Sequence, residues 1–248
     1  MSAHRGWWSR WWVQAALVAA VVLVYGQIRT LAEGSSDEAL ANALDVVGLQ
    51  RTLGLLHEET LQEWLTGWEP VTRAWNVFYG LAHDAAGYLA LIFLWRRSSH
   101  AREPYRFWRN VAGWMLALGL VGFFTYPITP PRLMPPEYGF VDTGVEVGGI
   151  GPIQGATEDA GGNRFAAMPS LHVGRAAWVA VAVAPIVRRR RWRAVVIAYP
   201  FAMLLATMVT ANHWLLDGVA GVAVLGIAYA IERARRRAFN RVCVPRRA

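Results

Sequence analysis

Two histidines, His172 and His213, stand 41 residues apart, and Asp217 follows the second by four residues. A four-residue step puts two side chains on one face of a helix. A carboxylate one turn from an imidazole can accept its ring proton, fix its tautomer and raise its nucleophilicity. Arg132 lies in "TYPITPPRLMPPEYGF", where five prolines stiffen the backbone and hold a long side chain in place. Gathered at one face, two imidazoles, a carboxylate and a guanidinium suit phosphoryl transfer. One imidazole attacks phosphorus, the second protonates the leaving oxygen, and the guanidinium neutralises the equatorial oxygens. Taken singly, the same residues have plain structural readings: a helix-start cap, a helix-end pair, a solvated loop cation. The sequence has no Walker-type loop and no Mg²⁺-binding carboxylate cluster, which argues against nucleotide-driven chemistry. Its single cysteine, Cys243, excludes an internal disulfide and a cysteine-based metal cluster. Neither a metal nor a cofactor is expected.

The elements that must position these residues are membrane helices. The 248-residue chain is 55% hydrophobic and 17% charged, with a mean hydropathy of +0.25. That is too apolar for an ordinary soluble domain. Crossing about 30 Å of hydrocarbon takes about 20 mostly apolar residues. Six stretches qualify: 11–28, 72–95, 107–127, 168–187, 194–212 and 215–232. The expected fold class is all-α, a polytopic bundle of six transmembrane helices. The first stretch reads as a retained anchor, because its apolar run is long and the small-residue pattern Ala39-Leu40-Ala41 lies well past its end. Trp7, Trp8, Trp11 and Trp12 fit an interfacial aromatic belt.

The net charge is +8, and every one of the 25 basic residues is arginine. They come in blocks between apolar runs and form no continuous groove, so nucleic acid is not an expected partner. Arg5 and Arg10 precede the first span, Arg96, Arg97, Arg102 and Arg106 separate the second from the third, and Arg188 to Arg191 with Arg193 separate the fourth from the fifth. A further block begins at Arg233. Six spans put all of these on one side and the acidic gaps, with Glu33, Glu58, Glu69, Glu137 and Asp159 among them, on the other. The positive-inside rule then makes both termini cytoplasmic in a plasma-membrane protein, with the long loops facing outward. His172 opens the fourth span at the outer face. Two antiparallel spans later the chain returns to that face, so topology alone places His172 and His213 at similar depth.

Residues 39–66 are amphipathic and too charged to span; lying along the outer interface and packing on the bundle both fit. Residues 141–163 are rich in glycine and acid without periodicity, and read as an outward loop that could cover a site. In the second span, "NVFYGLAHDAAGY" places Asn76, Tyr79 and His83 on one helical face. Such a polar stripe faces the bundle interior, where contact with a lipid headgroup or acceptor and interhelical hydrogen bonding are both open. The organisation reads as an anchor and amphipathic segment over 1–69, a catalytic membrane domain over 70–232 and a basic cytoplasmic tail over 233–248.

Ala167-Met168-Pro169-Ser170-Leu171-His172 and Thr210-Ala211-Asn212-His213-Trp214-Leu215-Leu216-Asp217-Gly218 resemble the second and third signature motifs of the type 2 phosphatidic acid phosphatase (PAP2) superfamily. Leucine before the first histidine, together with "PPRLMP", resembles the branch containing inositol phosphorylceramide synthases and their actinobacterial relatives. The resemblance covers roughly residues 70–232. It implies that His213 becomes phosphohistidine, that Asp217 orients it, and that His172 is the general acid and later the base. It also implies that Pro169 and Ser170 shape the phosphate pocket, with helix-start amides aimed at the anion. The superfamily's first motif, a lysine followed by Arg-Pro, is absent because the chain has no lysine. Ala206-Thr207 stand where the third motif carries Ser-Arg. Arg132 is the candidate replacement phosphate ligand and Arg164 a second; Arg175, one turn past His172, could face the pocket or snorkel. These departures favour the synthase-like branch over a plain phosphatase.

Three functions follow. The first is a membrane phosphotransferase, inositol-phosphotransferase-like, that moves a phosphoryl or phospho-alcohol group from a membrane lipid to a polyol or lipid hydroxyl through phosphohistidine. The second is a lipid phosphate phosphatase with water as acceptor. The third is a non-catalytic lipid-binding membrane protein.

Overall fold

The computed structural model describes residues 10–98, 103–148 and 162–243. Arg5, Trp7, Trp8, Arg102, residues 149–161 of the glycine-rich loop and the tail from residue 244 lie outside the described residues, as does the Cys243 side chain. Helices account for the architecture: α1 (Trp11–Leu31), α2 (Ser36–Thr52), α3 (Glu58–Thr66), α4 (Glu69–Arg97), α5 (Glu103–Thr125), the one-turn α6 (Thr143–Glu146), α7 (Leu171–Val183), α8 (Arg190–Val209) and α9 (Leu215–Cys243). Five of these, α1, α4, α5, α8 and α9, are long and apolar enough to cross a membrane. The sixth expected span is the shorter apolar helix Leu171–Ile186, in which α7 tightens into a 3₁₀ turn at Ala184–Ile186.

Most ends differ from the sequence reading by a few residues, and the last helix by eleven. α7 starts at Leu171 rather than 168 because Ser170 caps it, its side chain accepting from the Val173 amide. α8 stops at Val209 because the chain turns at Ala211, which adopts a left-handed φ of 52°. α9 continues past residue 232 to Cys243, so the start of the basic tail is helical.

α7 is the centre of the bundle, packed by α4, α5, α8 and α9. Nine of its thirteen residues are buried, including Trp178, Val179 and Ala182. A helix apolar all round belongs inside. Its approach to α9 is close enough to need glycine on both sides. A Cβ on Gly174 would lie 2.7 Å from the Gly221 carbonyl oxygen, and one on Gly221 would lie 2.1 Å from that of Ser170. Small residues let membrane helices approach at backbone distance. Here that contact fixes the start of α7 against the first turns of α9.

Residues 36–66 form two helices that pack on the bundle through one face and leave Leu44, Leu49, Leu53 and Trp64 exposed on the other. Ala43, Val46 and Val47 of α2 are buried with Ile128, Met134, Ala167 and Trp214. The proline-rich segment folds as 3₁₀ turns at Pro131–Leu133 and Pro136–Tyr138. It is stitched to its neighbours by Thr129 N donating to Ala39 O, Ile128 N to Phe165 O, and Trp214 Nε1 to Thr129 O. Part of the glycine-rich loop is ordered as α6, with the Asp142 side chain capping the amides of Gly144 and Val145.

Candidate active site

His172 is the second residue of α7, and His213 sits in the turn between α8 and α9. That turn is held from one point: the amides of Asn212 and His213 both donate to the Thr207 carbonyl. The first amides of α9 are satisfied by side chains. Trp214 N donates to Asp217 Oδ2 (2.9 Å), Leu215 N to Glu58 Oε1 (2.8 Å) and Leu216 N to Gln50 Oε1 (3.0 Å). A helix start left without such acceptors in an apolar setting is costly. Gln50 and Glu58 are themselves joined at 2.6 Å, and Glu58 Oε2 accepts from His57 N. The nucleophile candidate therefore stands on a turn braced by α8 behind it and by α2 and α3 above it.

The two imidazoles meet directly. His213 Nε2 lies 3.3 Å from His172 Nδ1. On its other side, His213 Nδ1 lies 2.9 Å from the Ala167 carbonyl oxygen and 3.5 Å from Asp217 Oδ2. A carbonyl can only accept, so His213 Nδ1 carries a proton, and in the neutral imidazole the lone pair is then on Nε2. The sequence assigns tautomer control to Asp217; the geometry divides it between a nearer backbone carbonyl and that carboxylate. Asp217 is fully buried, and its Oδ1 has no hydrogen-bond partner among the described residues.

The polar stripe of α4 divides its work. Tyr79 stacks on His172 with ring centroids 4.4 Å apart and planes 26° apart, and it meets His213 edge-on at 6.4 Å. The His83 ring centroid lies 4.0 Å from that of His172. His172 is thus held between two aromatic side chains one turn apart on α4. Asn76 is fully buried and structural in its contacts: it donates to the carbonyls of Thr143 and Gly148 and accepts from the Thr143 hydroxyl. It ties α6 to the bundle rather than lining the imidazole pair. Asp84, next to His83, takes an ion pair from Arg175 at 2.8 Å, which leads that arginine towards α4.

Arg132 is largely buried and firmly held. Its Nε donates to Asn212 Oδ1 and its Nη1 to Asp142 Oδ2, both at 3.0 Å, while its amide donates to Ala211 O. It is tethered to the residue adjoining His213, and its charge acts on Tyr79. Pro169 packs over Gly122, where a Cβ would lie 2.4 Å from its ring, and Ser170 is fully buried as the α7 cap. Arg164 is half-exposed; its contacts are Glu33 at 3.8 Å and the Phe165 ring, and none is to His172 or His213.

Arg29 is the cation that sequence reasoning missed. It lies in the last turn of α1, its carbonyl accepts from Asn163 Nδ2 and its guanidinium donates to Asn163 O; its charge reaches His172 behind that of Arg175, and Tyr79 behind that of Arg132. The available signal was its isolation: a lone arginine at the end of the first apolar stretch away from the arginine blocks. Gln50 and Glu58 carried no comparable mark.

A lone pair on one buried imidazole, a second imidazole against it and guanidiniums close by form a centre able to attack phosphorus and handle the leaving-group proton. No curated protein and no solved structure matches the chain. The model of the PAP2 superfamily matches residues 44–231, which takes in both histidine motifs, Arg132 and the capping helices α2 and α3 in large part. With three quarters of its length matched, the chain belongs to the PAP2 superfamily, whose chemistry is that of phosphatases and phosphotransferases.

Proposed function

We propose that the protein is an integral membrane phosphotransferase that acts on a phospholipid or lipid phosphate through phosphohistidine and resembles the inositol-phosphotransferase branch of its superfamily. His213 Nε2 forms a bond to phosphorus as the ester P–O bond breaks. His172, entering as the imidazolium, gives its proton to the leaving oxygen. The acceptor hydroxyl then loses its proton to His172, its oxygen attacks phosphorus, and the N–P bond breaks. Arg132 and Arg29 supply the positive field in which the equatorial oxygens develop charge, and Ser170 and Pro169 set the backbone at the start of α7. Tyr79 and His83 hold His172 and border the space for the acceptor, and Asn76 supports them through α6. Arg164, whose contacts lie elsewhere, serves as a phosphate ligand only if its side chain turns inward.

The observation that carries this reading is the His213 Nδ1 contact to a carbonyl, which leaves the Nε2 lone pair directed at His172. Comparing lipids from membranes with the wild-type protein and with His213→Ala tests it. Loss of a transferred product together with accumulation of its donor lipid is expected. Release of free phosphate with no transferred product points instead to hydrolysis, and lipid binding that survives loss of both histidines to a non-catalytic role.

The site faces outward and both termini are cytoplasmic in this proposal, because the described arginine blocks at Arg96, Arg188 to Arg191 and Arg233 onward lie at helix ends remote from His172 and His213. The single cysteine gives the test: in intact cells Cys243 resists a membrane-impermeant maleimide and reacts after permeabilisation.

A further inference from the structure

At the end of the bundle opposite the histidines, α1, α5 and α9 enclose a polar cluster that the proposed reaction does not use. Glu232 of α9 is fully buried, fifteen residues beyond Asp217 and so about 22 Å along the helix. Arg235 donates to both its carboxylate oxygens (2.7 and 2.8 Å), Arg236 to Oε1 at 2.9 Å, and Asn110 to Oε1 at 3.1 Å. Arg236 also reaches Glu103 at 2.6 Å. Arg109 gives its donors to Asn110 Oδ1 and Gln14 Oε1, neither of which is a carboxylate. Arg106 stands 3.8 Å from Glu103. Four guanidiniums against two carboxylates leave this cluster a formal charge of +2.

The cluster borders a cavity of about 570 Å³ that Gln14, Glu103, Arg106, Arg109 and Arg235 help to line. Leu17, Arg109, Asn110 and Arg235 also line a second cavity, of about 430 Å³, so the two adjoin at these side chains. The second is of different character. It runs between α1, α4, α5 and α7, past Val21, Leu91, Gly113 and Ala117, with Arg175 and Trp178 also on its walls. From Arg109 to Ala117 it follows α5 for eight residues, about 12 Å. Leu17, Val21 and Tyr88 on its walls are more than a third exposed, so it opens to the lipid side of the bundle.

We propose that this basic rim and apolar groove bind an anionic glycerophospholipid, its phosphate on Arg106 and Arg109 and one acyl chain along Gly113. Basic pockets between membrane helices take anionic headgroups, and the arginine fork matches phosphate oxygens. A soluble anion has no use for the groove, and a zwitterionic lipid gains little from an excess of positive charge. Glu232, beside this headgroup site, lies about 22 Å along α9 from Asp217, so a phosphate held on Arg106 and Arg109 is not presented to the histidines. The lipid joins α1, the least buried of the five long apolar helices, to α4, α5, α7 and α9.

The test uses the full-length protein reconstituted with equal phosphatidylglycerol and phosphatidylcholine, then extracted gently for native mass spectrometry of the retained lipid. Phosphatidylglycerol is expected to exceed phosphatidylcholine by roughly tenfold. Arg106→Gln removes a headgroup contact. Gly113→Leu fills the groove, and a Cβ there meets nothing within 4 Å, so the helix accepts it. Each variant lowers phosphatidylglycerol retention at least severalfold while gel filtration is unchanged. Equal retention of the two lipids overturns the proposal, as does wild-type retention in both variants. Displacement of phosphatidylglycerol by glycerophosphate as readily as by the whole lipid also overturns it, since that marks a headgroup site without a chain. Should Gly113→Leu fail to fold, Arg106→Gln with Gly113→Ala decides the same question.

Discussion

His172 Nδ1 stands 3.3 Å from His213 Nε2, so the atom proposed to attack phosphorus is held by the group proposed to protonate the leaving oxygen. In-line transfer places phosphorus at His213 Nε2 and the leaving oxygen on its far side. His172 must therefore give up this hydrogen bond as substrate enters, and its neighbours on α4 decide how far it moves.

Replacing either imidazole separates their roles. His213→Ala is expected to lower turnover by roughly 10⁴-fold or more and to abolish acid-labile phosphate on the protein. His172→Ala is expected to lose about 10²–10⁴-fold with a lipid alcohol as leaving group. It loses far less with a nitrophenyl ester, whose leaving oxygen needs no proton. Rates for the two substrates, with circular dichroism to show an intact bundle, check both. Equal losses for His172→Ala on the two esters would falsify the acid assignment.

The stacked ring of Tyr79 gives a second prediction. An aromatic pair contributes about 0.5–1.5 kcal/mol beyond burial, so Tyr79→Ala is expected to slow transfer roughly tenfold by releasing His172. Tyr79→Phe keeps the stack and stays within about twofold of wild type. A phenylalanine variant as slow as the alanine one shows that the hydroxyl, not the ring, matters.

Glu58 gives a third, far from the reaction in sequence. Its carboxylate accepts from Gln50, from His57 N and from Leu215 N. Glu58→Ala leaves buried donors without acceptors, at a cost of about 1–3 kcal/mol for each. The expected result is a Tm lowered by several degrees and activity lost with it. Glu58→Gln keeps one acceptor oxygen and falls between. An unaltered Tm in Glu58→Ala means that α9 does not depend on this cap.

Gly221 gives a fourth. A methyl group there would sit 2.1 Å from the Ser170 carbonyl oxygen, so α7 and α9 must separate. Overpacking of this kind costs about 1–3 kcal/mol, and here it also displaces His172 relative to Asp217. Gly221→Ala is expected to lower both Tm and turnover. Gly226→Ala, on the same helix with nothing within 4 Å, leaves both unchanged or raises Tm slightly. Equal tolerance of the two removes the close approach as a requirement.

The spans were legible because hydrocarbon imposes a length on any helix that crosses it, and five helices meet that length where the apolar runs lie. The meeting of His172 and His213 was legible because α7 and α8 form an antiparallel hairpin, although α7, at 13 residues, is shorter than the expected span. What escaped was tertiary. Leu215 N and Leu216 N find acceptors 157 and 166 residues earlier in the chain, at Glu58 and Gln50, and no local pattern marks so distant a partner. The Ala167 carbonyl beside His213 is a backbone atom that every residue owns, so the sequence cannot single it out. Arg164 and Arg132 look alike as cations near the motifs. Only the fold shows that one turns to Glu33 and the other to Asn212.

The cap that Gln50 and Glu58 place on α9 also bears on how the protein is made. Synthesis runs from the N-terminus, so α2 and α3 are complete long before Leu215 is added. Their polar groups belong to a helix that does not yet exist. The turn that carries His213 is therefore completed by the last span to arrive, docking on a platform made early. A chain halted before that step already carries both histidines but lacks Asp217 and the capped start of α9, so the turn that holds His213 is not yet braced.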